Sequence, residues 1–547
     1  MLKITYNLFG ESIRFDSNEK LGVYLPLGKA YLSLSNYASK YFGLNFGEYK
    51  ILDLNNVFSL DKIVIKEDSV ELDNVKLLFY DNKMLISDYI PILLDIRHLY
   101  DYNPFNRSIR IEEKNNKLYV YSNTPISLVL EGQFKKVDDN ELNKLKSLKI
   151  INDYSFDGNF FWIKRIYELD KRRGEKREHY EWYTLFLAYF KGEISFNFYF
   201  KDKKQEFYSL NKHFLEKIEK IENKYLRLAF KILVRNLMDK TVGRPWFFQE
   251  WKRDYLISLN AFYLIGEKSF VKNVLLSYLK RAHDSYKKNK LYLEFKPDEF
   301  GLLLNKIVKF WDLFDEKERE FIEEKILSFD FHAPVYNSKG ETWMDSIDRE
   351  GISIEIQALF YDFFDFFEEK VKEFSYYKKI IEKTVRSMII NDYIIDGLER
   401  FEIRPNFLLA WYFSENLAKK LGFRDYLENN LEQLFLDWGG ISSLSKCHPL
   451  HYKEHTGIDS KSYHNGDSWY FINNITALIL LKEKLIEKAY KIIDASLNDL
   501  FLKFFTGAHS EISSASKQES FGCFDQLWSN ATLLEVLSFL FFNNKIF

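Results

Sequence analysis

The stretch Phe214-Leu-Glu-Lys-Ile-Glu-Lys-Ile-Glu-Asn-Lys-Tyr-Leu-Arg-Leu-Ala-Phe-Lys-Ile-Leu-Val-Arg-Asn-Leu237 sets the reading of the chain. Its apolar residues Phe214, Ile218, Ile221, Tyr225, Leu228, Ile232 and Leu237 recur every three or four positions. That spacing puts them on one face of a long helix. The same period continues downstream. It predicts helices over 252–266, 268–287, 297–314, 316–328, 353–372, 376–391, 405–421, 424–436, 466–484, 485–506 and 526–543. With the first, that is roughly twelve by this period, a number that suits a closed double ring of inner and outer helices.

Upstream the period changes to two. Ile109-Arg-Ile-Glu112 and Lys117-Leu-Tyr-Val-Tyr121 alternate as strands, with Asn115-Asn116 between them as turn residues. Lys62 to Glu67, Val75 to Tyr80 and Trp182 to Phe200 read the same way. No βαβ rhythm and no Gly-rich phosphate loop interrupts them. The expected architecture is multidomain: an N-terminal antiparallel β-sandwich over 1–208, then an all-α barrel domain over 209–547. The charged run Lys201 to Glu206 is the expected linker.

Bulk composition narrows the class of partner. A length of 547 residues suits two domains. The net charge of −2, from 78 basic and 80 acidic residues, argues against a cationic surface for nucleic acid or anionic lipid. Charges interrupt every apolar run, so no membrane span is expected. Two cysteines, Cys447 and Cys523, make no disulfide framework. Met1 to Phe15 lacks a basic segment followed by an apolar one. Together these predict a cytoplasmic protein. A neutral ligand such as a sugar polymer fits the charge balance. Nothing in the composition fixes the oligomeric state.

Between the helices lie four irregular segments rich in Trp, Asp, Glu and Gly, at 241–254, 335–352, 439–469 and 507–526. They read as too polar for core, and long irregular connections in a compact domain are usually functional. Trp246, Trp251, Trp343, Trp469 and Trp528 fall in or beside them. Sugar rings have apolar faces and hydroxyl edges, so a sugar site needs flat aromatics flanked by polar groups. The alternative is that these tryptophans plug the ends of helix pairs.

Arg253-Asp254 sets a fork donor beside a carboxylate, a pair able to grip the hydroxyls of one sugar; a surface ion pair or a helix N-terminal acid is the plainer reading. Asp345 ends Glu341-Thr-Trp-Met-Asp345, beside aromatic bulk. A carboxyl there resists ionisation, as a general acid must; a helix cap is the alternative. Ser510-Glu511-Ile512, followed by Gln526 and Trp528, is not singled out by its local sequence. Tyr463-His464-Asn-Gly-Asp-Ser-Trp469 forms a compact polar cluster. The spacing of His451 and His455 would allow zinc, but no regular helix carries it, and sugar contacts or loop packing fit better. Neither a metal nor a cofactor is expected. The cysteines lack catalytic context.

Taken together, these segments resemble the glucosidase domain of glycogen debranching enzymes, the amylo-α-1,6-glucosidases, which are related to glucoamylases. The matching stretches are Pro245-Trp-Phe to Trp251-Lys-Arg-Asp254, Glu341 to Asp345, Ile354-Glu-Ile-Gln-Ala-Leu-Phe-Tyr361, Ile403-Arg-Pro-Asn406, Tyr463 to Trp469, Ser510-Glu-Ile512 and Gly522-Cys to Gln526-Leu-Trp-Ser529. Leu94-Asp-Ile-Arg97 and Tyr167-Glu-Leu-Asp-Lys-Arg-Arg-Gly174 look like pieces of the family's β-sandwich domain. The resemblance implies an (α/α)6 barrel and inverting hydrolysis of α-glucosidic bonds. It implies Asp345 as acid and Glu511 as base. It implies Arg253 and Asp254 on the terminal glucose, with His464 and Trp469 at the same mouth. Departures stand at Lys252, where the family usually has Gly, at Asn465, Asp467, Ser468, Tyr470 and Phe471, and at Ser513-Ser514. They bear on linkage and chain length. Two rival readings keep the barrel: a glucoamylase- or trehalase-like exo-α-glucosidase, and a glucan-binding protein without activity.

Overall fold

The computed structural model describes residues 2–542 apart from 9–10, 18–21, 28–29, 36, 67, 73, 81, 104–107, 136 and 199–211. The expected linker, Lys201 to Glu206, and the boundary at 208/209 lie outside the described residues. The chain forms two compact units. One gathers Met1–Ser209, Ile221–Asp239 and Asp499–Ala508; the other Leu210–Lys220, Lys240–Asn498 and His509–Phe547.

The first unit is rich in sheet. Its strands join one hydrogen-bonded network of 17 strands, antiparallel in nearly every pairing. The expected hairpin is present as β1 (Arg110–Lys114) and β2 (Lys117–Tyr121). Asn115 and Asn116 turn it with φ of 52° and 59°, the left-handed pair that a two-residue hairpin loop needs. Next follow β3 (Ile126–Lys135) and the long β4 (Glu181–Phe198), so the run expected to Phe200 is strand over its described part. A charged cluster lies inside this unit. Asp53 accepts from Arg165 Nε at 3.0 Å and from the Tyr167 hydroxyl at 2.8 Å, and Lys50 Nζ stands 3.5 Å from Asp95. Asp170 accepts from Ser39 Oγ at 2.9 Å and from the Lys40 amide at 2.8 Å. Of the two N-terminal motifs, the first supplies the ion-paired Asp95 and Arg97, and the second supplies Tyr167 and an Asp170 held by hydrogen bonds, conditions under which buried charge is tolerated.

The second unit is helical. Six helices pack in a closed cycle: α1 (Lys252–Leu264), α2 (Pro297–Lys309), α3 (Ile354–Phe367), α4 (Asn406–Phe413), α5 (Tyr470–Lys482) and α6 (Leu527–Phe542), with α6 against α1. They are buried over most of their surface, which explains their nearly continuous apolar content. Outside the cycle, Lys268–Tyr286 packs against both α1 and α2 and Lys372–Arg386 against α3, and each keeps one exposed face. No described helix is long and apolar enough to cross a membrane.

Several expectations are corrected. The helix expected over Phe214–Leu237 is two, Lys212–Glu219 and Lys224–Met238. The Asn223 side chain accepts from the amides of Tyr225 and Leu226, so it caps a new helix although the apolar period runs on. The helix expected over 405–421 breaks at Ser414, whose hydroxyl accepts from the Leu417 amide. The helix expected over 466–484 starts only at Tyr470. The irregular segments, read as too polar for core, are largely buried: Asn337, Ser442, His464, Asp467, Ser468 and Ser513 are all inaccessible. Their polar atoms bond mainly to one another, which makes a polar interior tolerable.

Candidate active site

The four irregular segments lead into α1, α3, α5 and α6 at their N-terminal ends, and the chemistry-bearing residues collect at that end of the cycle. Arg253 and Asp254 lie in the first turn of α1, Asp298 in that of α2, Glu355 in that of α3 and Asn406 in that of α4. Trp469 caps α5, and Trp528 lies in the first turn of α6. Helix N-termini carry partial positive charge and favour carboxylates. A cavity of about 130 Å³ opens among these residues. Trp251, Trp343, Trp469 and Trp528 form aromatic parts of its wall, and Arg253, Asp254, Asp345, Glu511 and Gln526 its polar parts.

Glu511 is 2% exposed. Its Oε1 accepts from the Tyr463 hydroxyl and its Oε2 from the Cys523 amide at 2.8 Å. Burial raises its pKa above the ordinary carboxyl range; these two donors act in the opposite direction, and the charge of Asp345 adds to the rise. Gly522 makes room for this arrangement. Its φ is +71°, and a Cβ there would stand 2.3 Å from Glu511 Oε2.

Asp345 stands at the mouth with 43% of its side chain open, 3.9 Å from Arg253 Nη1. Burial raises its pKa, the Arg253 guanidinium opposes, and Asp298 adds to the rise; its contact with water moderates all three. Asp345 caps no helix. Asp254 accepts from Gln526 Nε2 at 3.0 Å and is buried. Burial pushes its pKa up to about 8, with Arg253 opposing and Glu511 adding. Asp254 is therefore largely protonated near neutral pH. Arg253 is not a surface residue. Its Nε and Nη2 donate to the two oxygens of Asp298 at 2.7 and 3.2 Å, a fork that fixes the guanidinium.

Behind the wall, His464 stacks on Trp469 with ring centroids 5.0 Å apart and planes 1° from parallel. It does not line the cavity. Burial and the charges of Arg404, Arg349 and Arg253 lower its pKa far below the usual value, so the ring is neutral. Its Nδ1 lies 2.6 Å from Ser346 Oγ, next to Asp345. Trp343 Nε1 donates to Asn406 Oδ1 at 2.7 Å, and Asn406 Nδ2 donates to Asp396 Oδ1 at 2.6 Å. Asp396 in turn accepts from Arg349, which also donates to both oxygens of Glu355. The loop bearing Asp345 is tied at both ends to this charged cluster.

Of the residues singled out from sequence, the cavity gathers Asp345, Glu511, Trp251, Arg253, Asp254, Trp343, Trp469, Gln526 and Trp528. Trp246 is half-buried and does not line it. Val242, Phe247 and Tyr463 line it without having been singled out as contacts. Asp298 looked like an ordinary first-turn acid after Pro297, and nothing local marked its pairing with Arg253. Arg349 and Asp396 likewise carried no signal. His451 Nε2 lies 3.1 Å from Ser442 Oγ, and His455 Nδ1 2.7 Å from Asp467 Oδ2. Among the described residues no group of three or more His, Cys, Asp or Glu stands as a metal cage. Cys523 is placed against Glu511 through its amide; burial and the Glu511 charge hold its thiol protonated.

Residues 333–535 match the family model described as amylo-alpha-1,6-glucosidase. That stretch holds Asp345, Glu511 and most of the cavity wall, and over it the resemblance read from the sequence is borne out. The matched family is one of glycoside hydrolases. No curated protein matches the chain. Among solved structures, one described as a wild-type glycosidase is 12% identical, covering 60% of this chain and 98% of its own, with a TM-score of 0.40. A glucoamylase from Saccharomycopsis fibuligera is 9% identical over 61% of this chain and 97% of its own, also at 0.40. A sialidase is 10% identical over 87% of this chain and 55% of its own, at 0.41.

Proposed function

We propose that the protein is an inverting exo-glycosidase that releases glucose from α-glucans, an amylo-α-1,6-glucosidase in its reaction. The observation that carries this is a single-sugar-sized cavity of about 130 Å³ with three carboxyls of raised pKa, Asp254, Asp345 and Glu511, between indole walls. A pocket of that size takes one terminal pyranose rather than the middle of a chain. The indole N–H groups of Trp251 and Trp528 are buried there without a protein partner, and sugar hydroxyls would satisfy them.

Asp345, protonated at the open mouth, gives its proton to the leaving glycosidic oxygen. Glu511, ionised with the help of Tyr463 and Cys523, takes a proton from the attacking water. A single displacement with water between acid, sugar and base needs the carboxyls roughly 6.5–9.5 Å apart. Arg253, fixed by Asp298, and the protonated Asp254 hold the terminal sugar's hydroxyls. The closed cycle of six helices with others packed outside it supports an (α/α)6 barrel, and the antiparallel sheet network a β-sandwich domain.

The departures from the family pattern do not enter the cavity. Lys252 turns toward Glu294 and Glu299, at 3.8 and 3.9 Å. Asp467 is taken up by His455 and Ser462, while Ser513 and Ser514 hydroxyls donate to backbone oxygens of their own loop. This favours retained activity over a binding protein without turnover. The test is incubation with branched dextrin, linear maltodextrin and trehalose, with the anomer of the first product read by NMR. Release of β-glucose from the 1,6-branch is expected; release of α-glucose, or no glucose at all, ends the proposal.

A further inference from the structure

The sheet unit has a depression of its own, about 410 Å³, lined among others by Glu113, Asn116, Leu118, Gly132 and Phe134. Strand register explains it. Glu113 of β1 pairs with Leu118 of β2, and Leu118 with Leu130 of β3, so all three share a face. Gly132 and Phe134 follow Leu130 on that face at period two. Gly132 lies opposite Gly192 of β4. A Cβ on Gly132 would stand 2.3 Å from the Lys191 carbonyl oxygen, and one on Gly192 2.4 Å from that of Glu131. The strands approach too closely for side chains at this pair, and a trough is left beside Phe134.

The chemistry of the lining is uneven in an informative way. Arg110 and Lys114 both pair with Glu112, and Lys117 pairs with Glu131. The side chains of Glu113 and Asn116, which face the trough, make no hydrogen bond or ion pair within the described protein. Phe134 is 37% exposed and is backed by Phe190 at a centroid distance of 4.8 Å. An uncommitted carboxylate repels anions, and the nearby cations are already neutralised. What remains is an open ring face with a carboxylate and an amide beside it, the combination suited to a neutral polyhydroxylated ligand.

We propose that this trough is a second carbohydrate-binding site, taking an α-glucan chain over Phe134 with Glu113 and Asn116 on its hydroxyls. The choice of an α-glucan rests on the glucosidase reading of the pocket.

The test uses the full chain with Glu511→Gln to stop turnover, titrated with maltoheptaose by calorimetry, and retention by glycogen in native gels. Two binding events are expected. Phe134→Leu, which keeps apolar contact with Phe190, should remove one event and weaken glycogen retention roughly tenfold. Asn116→Ala, on an exposed turn, should weaken the same event. In the chain with Glu511 intact, hydrolysis of a disaccharide should be unchanged by either substitution. A single binding event that survives both substitutions, with equal glycogen retention, overturns the proposal. Binding at the trough alone leaves it standing while removing the glucosidase reading of the pocket.

Discussion

The two ends of the helix cycle both bury polar groups, and they differ in how those groups are paired. At the N-terminal end, the cavity leaves the indole N–H groups of Trp251 and Trp528 without partners. Toward the C-terminal ends, Lys306 Nζ donates to Asn260 Oδ1 at 3.1 Å, and Asn260 Nδ2 donates to Glu535 Oε2 at 3.1 Å. The Tyr412 hydroxyl donates to the same carboxylate at 2.8 Å. That cluster closes on itself. Burial of polar atoms therefore does not mark a site in this fold; polar atoms left open around a cavity do. Substitutions should accordingly cost activity at one end and stability at the other.

The largest separation is expected from the carboxyls. Glu511→Gln and Asp345→Asn should each lower turnover by about three orders of magnitude. The melting temperature of each should stay within a few degrees of the parent's. A variant that keeps a tenth of the parent rate would remove its residue from the mechanism. Arg349→Met should act on both quantities. It leaves Glu355 buried without its cation, while Asp396 keeps Arg400 and Arg404 at 3.3 and 3.9 Å, at a cost of about 3–5 kcal/mol in chemical denaturation, and it releases the loop that carries Asp345. Intact stability would show that this cluster is not the anchor. Gly522→Ala comes next. Its Cβ would displace the Glu511 carboxylate, so kcat should fall about a hundredfold with KM little changed; an unchanged kcat would mean the base has room to shift.

The contrast between the ends also explains what was legible in the sequence. The β hairpin could be read because Asn115-Asn116 is both a local turn signal and the actual turn. The six cycle helices could be read because their apolar residues recur at helical period, although the bounds drawn over 405–421 and 466–484 were not kept. The single helix drawn through Asn223 was wrong because period outlasts structure wherever one side chain caps a backbone end. Trp251 and Trp343 stood out because indoles are unusual between helices, and Asp345 because it follows aromatic bulk. Glu511 came only through family resemblance, and its environment is made by residues far along the chain or without a local signal: Tyr463, the Cys523 amide and Gly522. Asp298, Arg349 and Asp396 were invisible for the same reason, since an ion pair between distant segments leaves no mark on either one.

The smallest effect is a shift with pH whose sign differs between the ends. Asp254 has its folded pKa raised to about 8 from 3.8. Between those values the folded chain holds a proton that the unfolded chain has lost, so this group's contribution to stability is present below about pH 4. That contribution falls as pH rises toward 8. Lys306, fully buried, has its folded pKa lowered to about 8 from 10.5. Between those values the unfolded chain holds a proton that the folded chain lacks, so stability from this group rises with pH over that window and is lost as pH falls. Asp254→Asn keeps an acceptor for Gln526 and removes the first dependence; it should raise the melting temperature by about 2–4 °C at pH 8 and leave it unchanged at pH 4. Lys306→Met removes the second, so its melting temperature should gain on the parent's as pH falls from about 10.5 to 8. Turnover in the proposed reaction should be untouched. Melting curves across pH 4–10.5 test both, and parallel curves for parent and variants would show that neither group carries the stated linkage.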